Sequence, residues 1–145
     1  MTRAILKHLD NKYSSYTFTD ISVAFFEQAQ ETFKDHRNII YESLDIEKDP
    51  TTQGFQEHSY DLVIASNVLH ATKFLDQTMT NVRKLLKPGG KLLILEAVDN
   101  GAIRVAFSFC GVPGWWAGVD DGREITIDHA WTVELFASEE WVLWN

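Results

Sequence analysis

Two runs of apolar residues in the middle of the chain predict buried β-strands that each end in a polar group. The first, YDLVIASNVLH at 60–70, ends at His70, and the second, KLLILE at 91–96, ends at Glu96. The stretch between them carries apolar side chains at helical spacing, and Pro88-Gly89-Gly90 ends that helix. The pattern therefore predicts one strand-helix-strand unit.

This unit brings His70 and Glu96 together. A right-handed crossover makes the two strands parallel, so both carboxyl ends reach the same edge of the sheet. Neighbouring strands lie ~4.8 Å apart, which allows an imidazole and a carboxylate at matching heights to touch. Ligands of open α/β sheets collect at this edge, and a histidine oriented by an acid is suited to general base catalysis. The open alternative is a histidine that caps its strand and a glutamate solvated beyond it.

The other predicted elements also alternate between helix and strand. They are a helix at 4–9, a strand at 16–20, a helix at 23–33 and a strand at 39–46. After Glu96 the alternation fades into a short helix at 103–109 and a loop at 111–118, and the segment 131–144 matches no catalytic motif. This order predicts an α/β fold with a doubly wound, mostly parallel sheet.

Composition narrows the function classes. The 145 residues carry a net charge of −8, which weighs against a nucleic-acid surface. Cys110 is the only cysteine, so no internal disulfide can form, and no Cys/His spacing predicts a metal site. No apolar run approaches the ~20 residues that cross a bilayer, and no secretory signal pattern is present. We therefore expect a cytoplasmic protein with no membrane or nucleic-acid partner.

Adjacent tryptophans mark the loop at 111–118. Trp115 and Trp116 are flanked by glycines, and two indoles are costly to leave in water. Two interpretations stay open: the pair forms a wall of an acyl pocket, or it covers the end of the core.

Five segments carry a family resemblance: TFTDIS at 17–22, YDLVIASNVLHAT at 60–72, NVRKLLKPGG at 81–90, LLILE at 92–96 and PGWWAGVDDGR at 113–123. They resemble class I S-adenosylmethionine-dependent methyltransferases, and among these the C-methyltransferase domains of fungal highly reducing polyketide synthases. The LKPGG turn is common to many methyltransferases, whereas SNVLHAT, PGWW and DDGR are specific to the polyketide group.

For the cofactor, S-adenosylmethionine, the resemblance implies four binding residues. Asp20, at the end of the family's second strand, would take the ribose hydroxyls. Asp45, ending the third strand, would lie by the adenine amino group, and Ser66 and Asn67 would line the cofactor beside the fourth strand. The alternative for both aspartates is a helix cap or turn acid.

For catalysis, the resemblance implies that His70 and Glu96 are the family's catalytic pair. The histidine would remove a proton from a carbon flanked by a ketone and a thioester, and the carbanion would take the sulfonium methyl group without a metal ion. Trp115 and Trp116 would then belong to the substrate pocket.

The chain also departs from the family. No GxGxG loop is present, and the family's glycine-rich loop and first strand would stand before Thr2. Without them we expect weakened cofactor binding and two unpaired strand edges. Either those edges pair with each other, or a second copy or a partner chain completes the sheet, or the isolated product is poorly folded.

These patterns predict a partial methyltransferase domain at 1–124 that lacks the family's C-terminal strands, with a divergent tail at 125–145 packed on it. The expected function is methyl transfer to an activated carbon of a polyketide intermediate, an acyl thioester that is free or held on an acyl carrier. The alternative is a catalytically inactive remnant that acts as a binding or interaction protein.

Overall fold

The computed structural model describes residues 1–10, 12–95, 118–119, 121, 134–137 and 140–143, and it contains three α-helices and six β-strands among them. The elements are α1 (Thr2–Leu9), β1 (Tyr16–Asp20), α2 (Phe26–Thr32), β2 (Ile39–Ser43), β3 (Tyr60–Ser66), α3 (Leu75–Leu85), β4 (Leu86–Leu95), β5 (Glu134–Ala137) and β6 (Glu140–Leu143). Short 3₁₀ helices occur at Val23–Phe25, Pro50–Gln53 and Leu69–Ala71. Among these residues no helix has the length and apolar content needed to cross a membrane.

The chain divides into two compact units, Met1–Asp45 and Ile46–Asn145. In the first unit, β1 and β2 pair in parallel, from Tyr16 opposite Ile39 to Asp20 opposite Ser43. Leu6 of α1, with Ala29 and Phe33, forms its buried core. The predicted strand at 39–46 is too long, since β2 ends at Ser43. The predicted helix at 23–33 divides into a 3₁₀ turn followed by α2.

The second unit contains a four-stranded sheet in the order β3-β4-β5-β6. The first two strands are parallel and are joined through α3, which confirms the predicted strand-helix-strand unit. One side of the sheet packs against the helix in a core of buried residues: Ala65, Leu69, Val82, Leu86 and Leu92. Apolar positions recur at helical spacing on α3 and at alternate positions on the strands, so the two periods meet on one face.

The other face of this strand pair departs from the prediction of fully buried strands. Leu62, Leu93 and Leu95 are 41%, 39% and 49% exposed. These side chains alternate with the buried ones, so they point away from α3. Each strand of the pair has one buried and one exposed face, although both faces carry apolar residues. The spacing of apolar residues in the sequence cannot distinguish the two faces when leucines and isoleucines occupy both.

Gly89 and Gly90, at the start of β4, occupy positions that a residue with a side chain would fit poorly. The ladder places Tyr60 opposite Leu86 and Leu62 opposite Lys91, so residues 87–90 form an irregularity in the pairing. Gly89 adopts a φ of +77°, which strongly favours glycine. A Cβ at Gly90 would lie 3.0 Å from the carbonyl oxygen of Lys87 and 3.1 Å from that of Tyr60. LKPGG thus ends α3 at Leu85 and begins β4 directly.

The last backbone carbonyls of α3 accept hydrogen bonds from the segment that precedes β3. The backbone N–H of His58 donates to the Lys84 carbonyl at 2.8 Å, and that of Ser59 donates to the Leu85 carbonyl at 3.1 Å. Helices leave their last carbonyls without internal donors, so these bonds stabilise the end of the helix.

A hairpin that the sequence patterns did not predict extends the sheet. Lys91 of β4 lies opposite Ala137 of β5 in antiparallel register, and β5 and β6 pair antiparallel. Each strand has four residues, a length at which alternation and helical spacing are difficult to distinguish. The segment expected to be a divergent tail thus contributes strands beside β4.

An ion pair in the second unit gives a prediction about acid stability. Lys84 Nζ lies 2.5 Å from Asp49 Oδ2. The hydrogen bonds from Lys84 and Thr51 lower the pKa of Asp49 from 3.8 to about 2. A lowered pKa contributes stability above pH 3.8 that is lost as the pH falls toward 2.

We expect Lys84→Met to raise the pKa of Asp49, measured by carboxyl NMR titration, because it removes the hydrogen bond that lowers this pKa most. Lys87→Met, which removes the exposed pair with Asp61, should leave that pKa unchanged.

Candidate active site

The carboxyl ends of β3 and β4 meet at one edge of the sheet. The parallel register runs from Val63 opposite Leu92 to Ser66 opposite Leu95. The backbone N–H of Asn67 then donates to the Leu95 carbonyl at 2.8 Å, which extends the pairing beyond β3. Glu96 follows Leu95 in the chain but lies outside the described residues. The contact between His70 and Glu96 therefore stays a prediction.

His70 lies just beyond the end of β3, on the 3₁₀ helix Leu69–Ala71, and it is half-buried. The predicted strand at 60–70 is too long, because β3 ends at Ser66. Buried Leu69 anchors this turn in the core, and its carbonyl accepts the Thr72 hydroxyl at 2.8 Å. The turn thus holds the imidazole at the same edge to which β4 delivers its last residues.

Asn67 explains why β3 stops where it does. Its φ is +53°, a left-handed conformation that is uncommon for residues other than glycine and that asparagine adopts more readily than most. Strained residues of this kind cluster at functional sites. Ser66 is half-buried and Asn67 is exposed, and both lie at the turn between the strand and His70. The family resemblance implies that residues at this position line the cofactor.

Asp20 occupies the corresponding strand end in the first unit. It is the last residue of β1, and its Oδ1 accepts the Ser22 N–H at 2.9 Å. An ionised carboxylate can accept about four hydrogen bonds in all, so this turn uses part of its capacity. Asp20 lines an open cavity of about 480 Å³ together with residues 1–3, Phe18 and Phe25. A hydrogen-bonding acid thus lies beside aromatic surface in a space large enough for part of a nucleoside.

Asp45 does not end a strand. The second strand stops at Ser43, and the half-buried Asp45 is the last residue of the first unit. Trp115 and Trp116, predicted to form the substrate pocket, lie outside the described residues. The described part of the chain contains no group of three or more His, Cys, Asp or Glu side chains positioned to hold a metal ion.

The sequence interpretation assigned no role to two acids that bind the start of α3. Glu47 Oε1 accepts the Lys73 N–H at 2.5 Å, and Asp121 Oδ2 accepts the Leu75 N–H at 3.0 Å. Asp121 belongs to the DDGR segment, yet nothing in local spacing connects it to a helix 46 positions earlier. Only the fold brings these groups together.

Asn81 is a second residue that the sequence interpretation did not single out. Its side chain is fully buried, and its amide donates to the carbonyls of Ile46 at 2.8 Å and Lys48 at 3.0 Å. Gln77 donates to its Oδ1 at 3.2 Å. A signal did exist, because Asn81 lies at a core-facing position of the helical pattern, beside Thr78, Val82 and Leu85. A polar residue in such a position usually has a buried partner.

Comparison with protein families places these features in context. Residues 1–92 match the family model described as a methyltransferase domain. The match includes β1, β3, α3 and the start of β4, and hence Asp20 and His70.

The curated relatives include much larger proteins. The chain is 54% identical over 123 residues to fusarielin synthase FSL1 of Gibberella zeae, and equally so to highly reducing polyketide synthase verA of Penicillium polonicum. Each match covers 84% of this chain and 5% of the relative. The chain therefore spans about one twentieth of the length of these synthases.

Solved structures show the same similarity in three dimensions. The trans-methyltransferase CalH, in complex with SAH, is 43% identical with a TM-score of 0.82, over 89% of this chain and 37% of CalH. The CurJ carbon methyltransferase is 48% identical with a TM-score of 0.74, over 80% of this chain and 31% of CurJ. The predicted α/β methyltransferase fold is thereby confirmed.

Proposed function

The chain belongs to the methyltransferase domain family, and from this premise we propose that it transfers a methyl group from S-adenosylmethionine to an activated carbon of a polyketide intermediate. The observation that carries the proposal is the parallel pairing of β3 with β4. This pairing brings the described end of β4 to the sheet edge at which β3 ends and which His70 follows in the chain. Similarity to carbon methyltransferases such as CurJ supports a carbon acceptor.

His70 is the proposed base. S-adenosylmethionine supplies an electrophilic methyl group on its sulfonium. The neutral imidazole of His70 takes the proton from the carbon between a ketone and a thioester, and that C–H electron pair forms the new carbon–carbon bond to the methyl group. The electrons of the broken bond stay on sulfur, which leaves S-adenosylhomocysteine. In this proposal Glu96 would accept the second ring N–H of His70 and so fix its tautomer.

The cofactor is held, in this proposal, by Asp20 through the ribose hydroxyls and by Asp45 near the adenine amino group, with Ser66 and Asn67 beside the methionine part. The cavity beside Asp20 supports this assignment, since it combines a charged acceptor with aromatic surface. The residues after Asp20 add to it, because Ile21, Val23 and Phe25 expose 68%, 65% and 56% of their surfaces. Exposed apolar side chains beside a hydrogen-bonding acid suit a flat base.

The acceptor is proposed to be an acyl thioester, on a carrier arm or free, with Trp115 and Trp116 in the wall of its pocket. The large polyketide synthases among the relatives support this substrate class. A cytoplasmic setting and a second copy or partner chain that completes the sheet are further parts of the same proposal.

Calorimetric titration with S-adenosylmethionine tests the cofactor assignment. Because the chain contains no GxGxG loop, we expect binding weaker than that of a domain with the loop. We expect Asp20→Asn to weaken binding further by about tenfold or more, the value of hydrogen bonds to a charged group. The asparagine retains an oxygen for the Ser22 N–H, so the turn should survive. Asp35→Asn makes the same charge change at an exposed position outside the cavity and should leave affinity unchanged.

Two results would count against this proposal. Equal affinity of the Asp20→Asn and unaltered proteins would remove Asp20 from the binding site. Binding without any methyl transfer to a β-ketoacyl thioester, in the presence of S-adenosylmethionine, would favour the non-catalytic binding role.

A further inference from the structure

The connector between β3 and α3 is hydrogen-bonded along its length. The amides of Ala71 and Thr72 donate within the turn, at 3.1 Å to the Val68 carbonyl and 3.2 Å to the Leu69 carbonyl. The next amides toward α3, at Lys73 and Leu75, donate to the carboxylates of Glu47 and Asp121. His70 thus lies in a segment that other parts of the chain hold in place.

The first N–H group of α3 is accepted by a side chain from outside the helix. Its own N-cap residue, Phe74, provides no capping side chain. A helix leaves its first N–H groups without internal acceptors, and negative charge there is favoured by the helix dipole. Glu47 comes from the segment after the first unit, and Asp121 comes from the DDGR motif. Asp121 therefore replaces the missing local cap at Leu75, the first residue of α3, while Glu47 binds the amide of Lys73, two residues before the helix.

Asn81 fixes the position of one of these acids. Its side-chain amide donates to the carbonyls of Ile46 and Lys48, the residues on either side of Glu47. Because Asn81 is fully buried in α3, it binds the segment that carries Glu47 to the helix that follows Lys73, the residue whose amide Glu47 accepts. The acid is thereby held close to the Lys73 amide.

We propose that Glu47 and Asp121 are positioning residues for His70. By accepting the amides of Lys73, at the end of the connector, and of Leu75, at the start of α3, they fix the end of the segment that carries the imidazole, and so its direction at the sheet edge. This inference rests on the proposed function in assigning catalysis to His70. Asp121, in the DDGR motif, thus serves to orient the base and need not contact the substrate.

The first test uses hydrogen exchange and NMR on the full chain, without substrate. We expect Asp121→Ala to lower the protection of the Lys73 and Leu75 amides by about tenfold, as loss of a helix cap does. It should also shift the His70 ring resonance, assigned by its absence in His70→Gln. Asp121→Asn retains an acceptor oxygen, so the amide protection and the His70 resonance should both stay close to those of the unaltered protein. Asp76→Ala removes an acid from the first turn of the same helix, so it should lower the protection less than Asp121→Ala does and leave the His70 resonance unchanged.

The second test measures methyl transfer in the same variants. We expect Asp121→Ala and Glu47→Ala to lower kcat at least tenfold with little change in KM for S-adenosylmethionine, and Asp121→Asn to recover most of kcat. A misoriented base slows the chemical step without weakening cofactor binding. A fall in protein stability alone would reduce the active fraction and would not move the His70 resonance.

The two tests fail separately. If the unaltered chain transfers no methyl group, the proposed function is wrong and the exchange and resonance data still decide the placement of the turn. If transfer occurs but Asp121→Ala leaves kcat and the His70 resonance unchanged, the positioning role is wrong. If Asp121→Ala does not fold, Glu47→Ala provides the same comparison through the Lys73 amide, with Glu47→Gln as the variant that retains an acceptor oxygen.

Discussion

His70→Ala is expected to reduce methyl transfer by about 10²- to 10⁴-fold, the usual contribution of a general base. The substituted protein should fold normally, because Leu69 and Thr72 hold the turn through contacts that do not involve the imidazole. Cofactor binding should stay nearly intact, since no step of binding uses the proton acceptor. The measurement is transfer of a labelled methyl group to a β-ketoacyl thioester, with affinity for S-adenosylmethionine measured in parallel.

A matched control and a second variant sharpen this test. His8→Ala removes an exposed histidine from the end of α1 and should leave transfer unchanged. Glu96→Gln preserves shape but removes the charge that we propose orients the imidazolium, so we expect a smaller loss than for His70→Ala. Turnover by His70→Ala equal to that of the unaltered protein would remove the histidine from the mechanism.

Substitution of Asn81 should cause the largest loss of stability. Asn81→Leu has a similar volume but removes the buried side-chain donor from the carbonyls of Ile46 and Lys48, of which the second also accepts from Gln53 Nε2 at 3.3 Å. The Ile46 carbonyl loses its side-chain donor inside the fold, so we expect the free energy of unfolding to fall by about 1–3 kcal/mol. Urea denaturation followed by circular dichroism measures the change.

The control for Asn81 lies on the same helix. Thr80 is exposed, and its hydroxyl donates to the Asp76 carbonyl within α3 at 2.8 Å. Thr80→Ala should change stability by less than ~0.5 kcal/mol, as exposed substitutions usually do. Asn81→Asp keeps the shape of the side chain but replaces the amide donors with an acidic oxygen that faces the same two carbonyls, so it should also destabilise the protein. A loss below ~1 kcal/mol in both Asn81 variants would show that the two carbonyls do not depend on it.

The sequence predicted the elements near the site well, for a physical reason. Apolar spacing on 60–66 and 75–85 changes from that of a strand to that of a helix, and the glycines of LKPGG permit the sharp passage into β4. The general rule of right-handed crossovers then made β3 and β4 parallel neighbours. These predictions required only local pattern and chain handedness.

Strand ends were harder to predict. The patterns extended β3 to His70 and β2 to residue 46, whereas the strands end at Ser66 and Ser43. Asn67 ends β3 by adopting a left-handed backbone, a choice that a run of strand-forming residues does not reveal. Register and turn geometry are tertiary properties, so they decide where extended structure stops.

By itself, the sequence determined the strand-helix-strand unit, the acid at the end of β1 and the family to which the chain belongs, because each depends on residues close together in the chain. Only the tertiary structure decided that Glu47 meets the connector at Lys73, that Asp121 meets the first residue of α3 and that Asn81 holds the chain beside Glu47. Hydrogen bonds between distant segments have no period along the chain. Their partners become neighbours only after the core has formed.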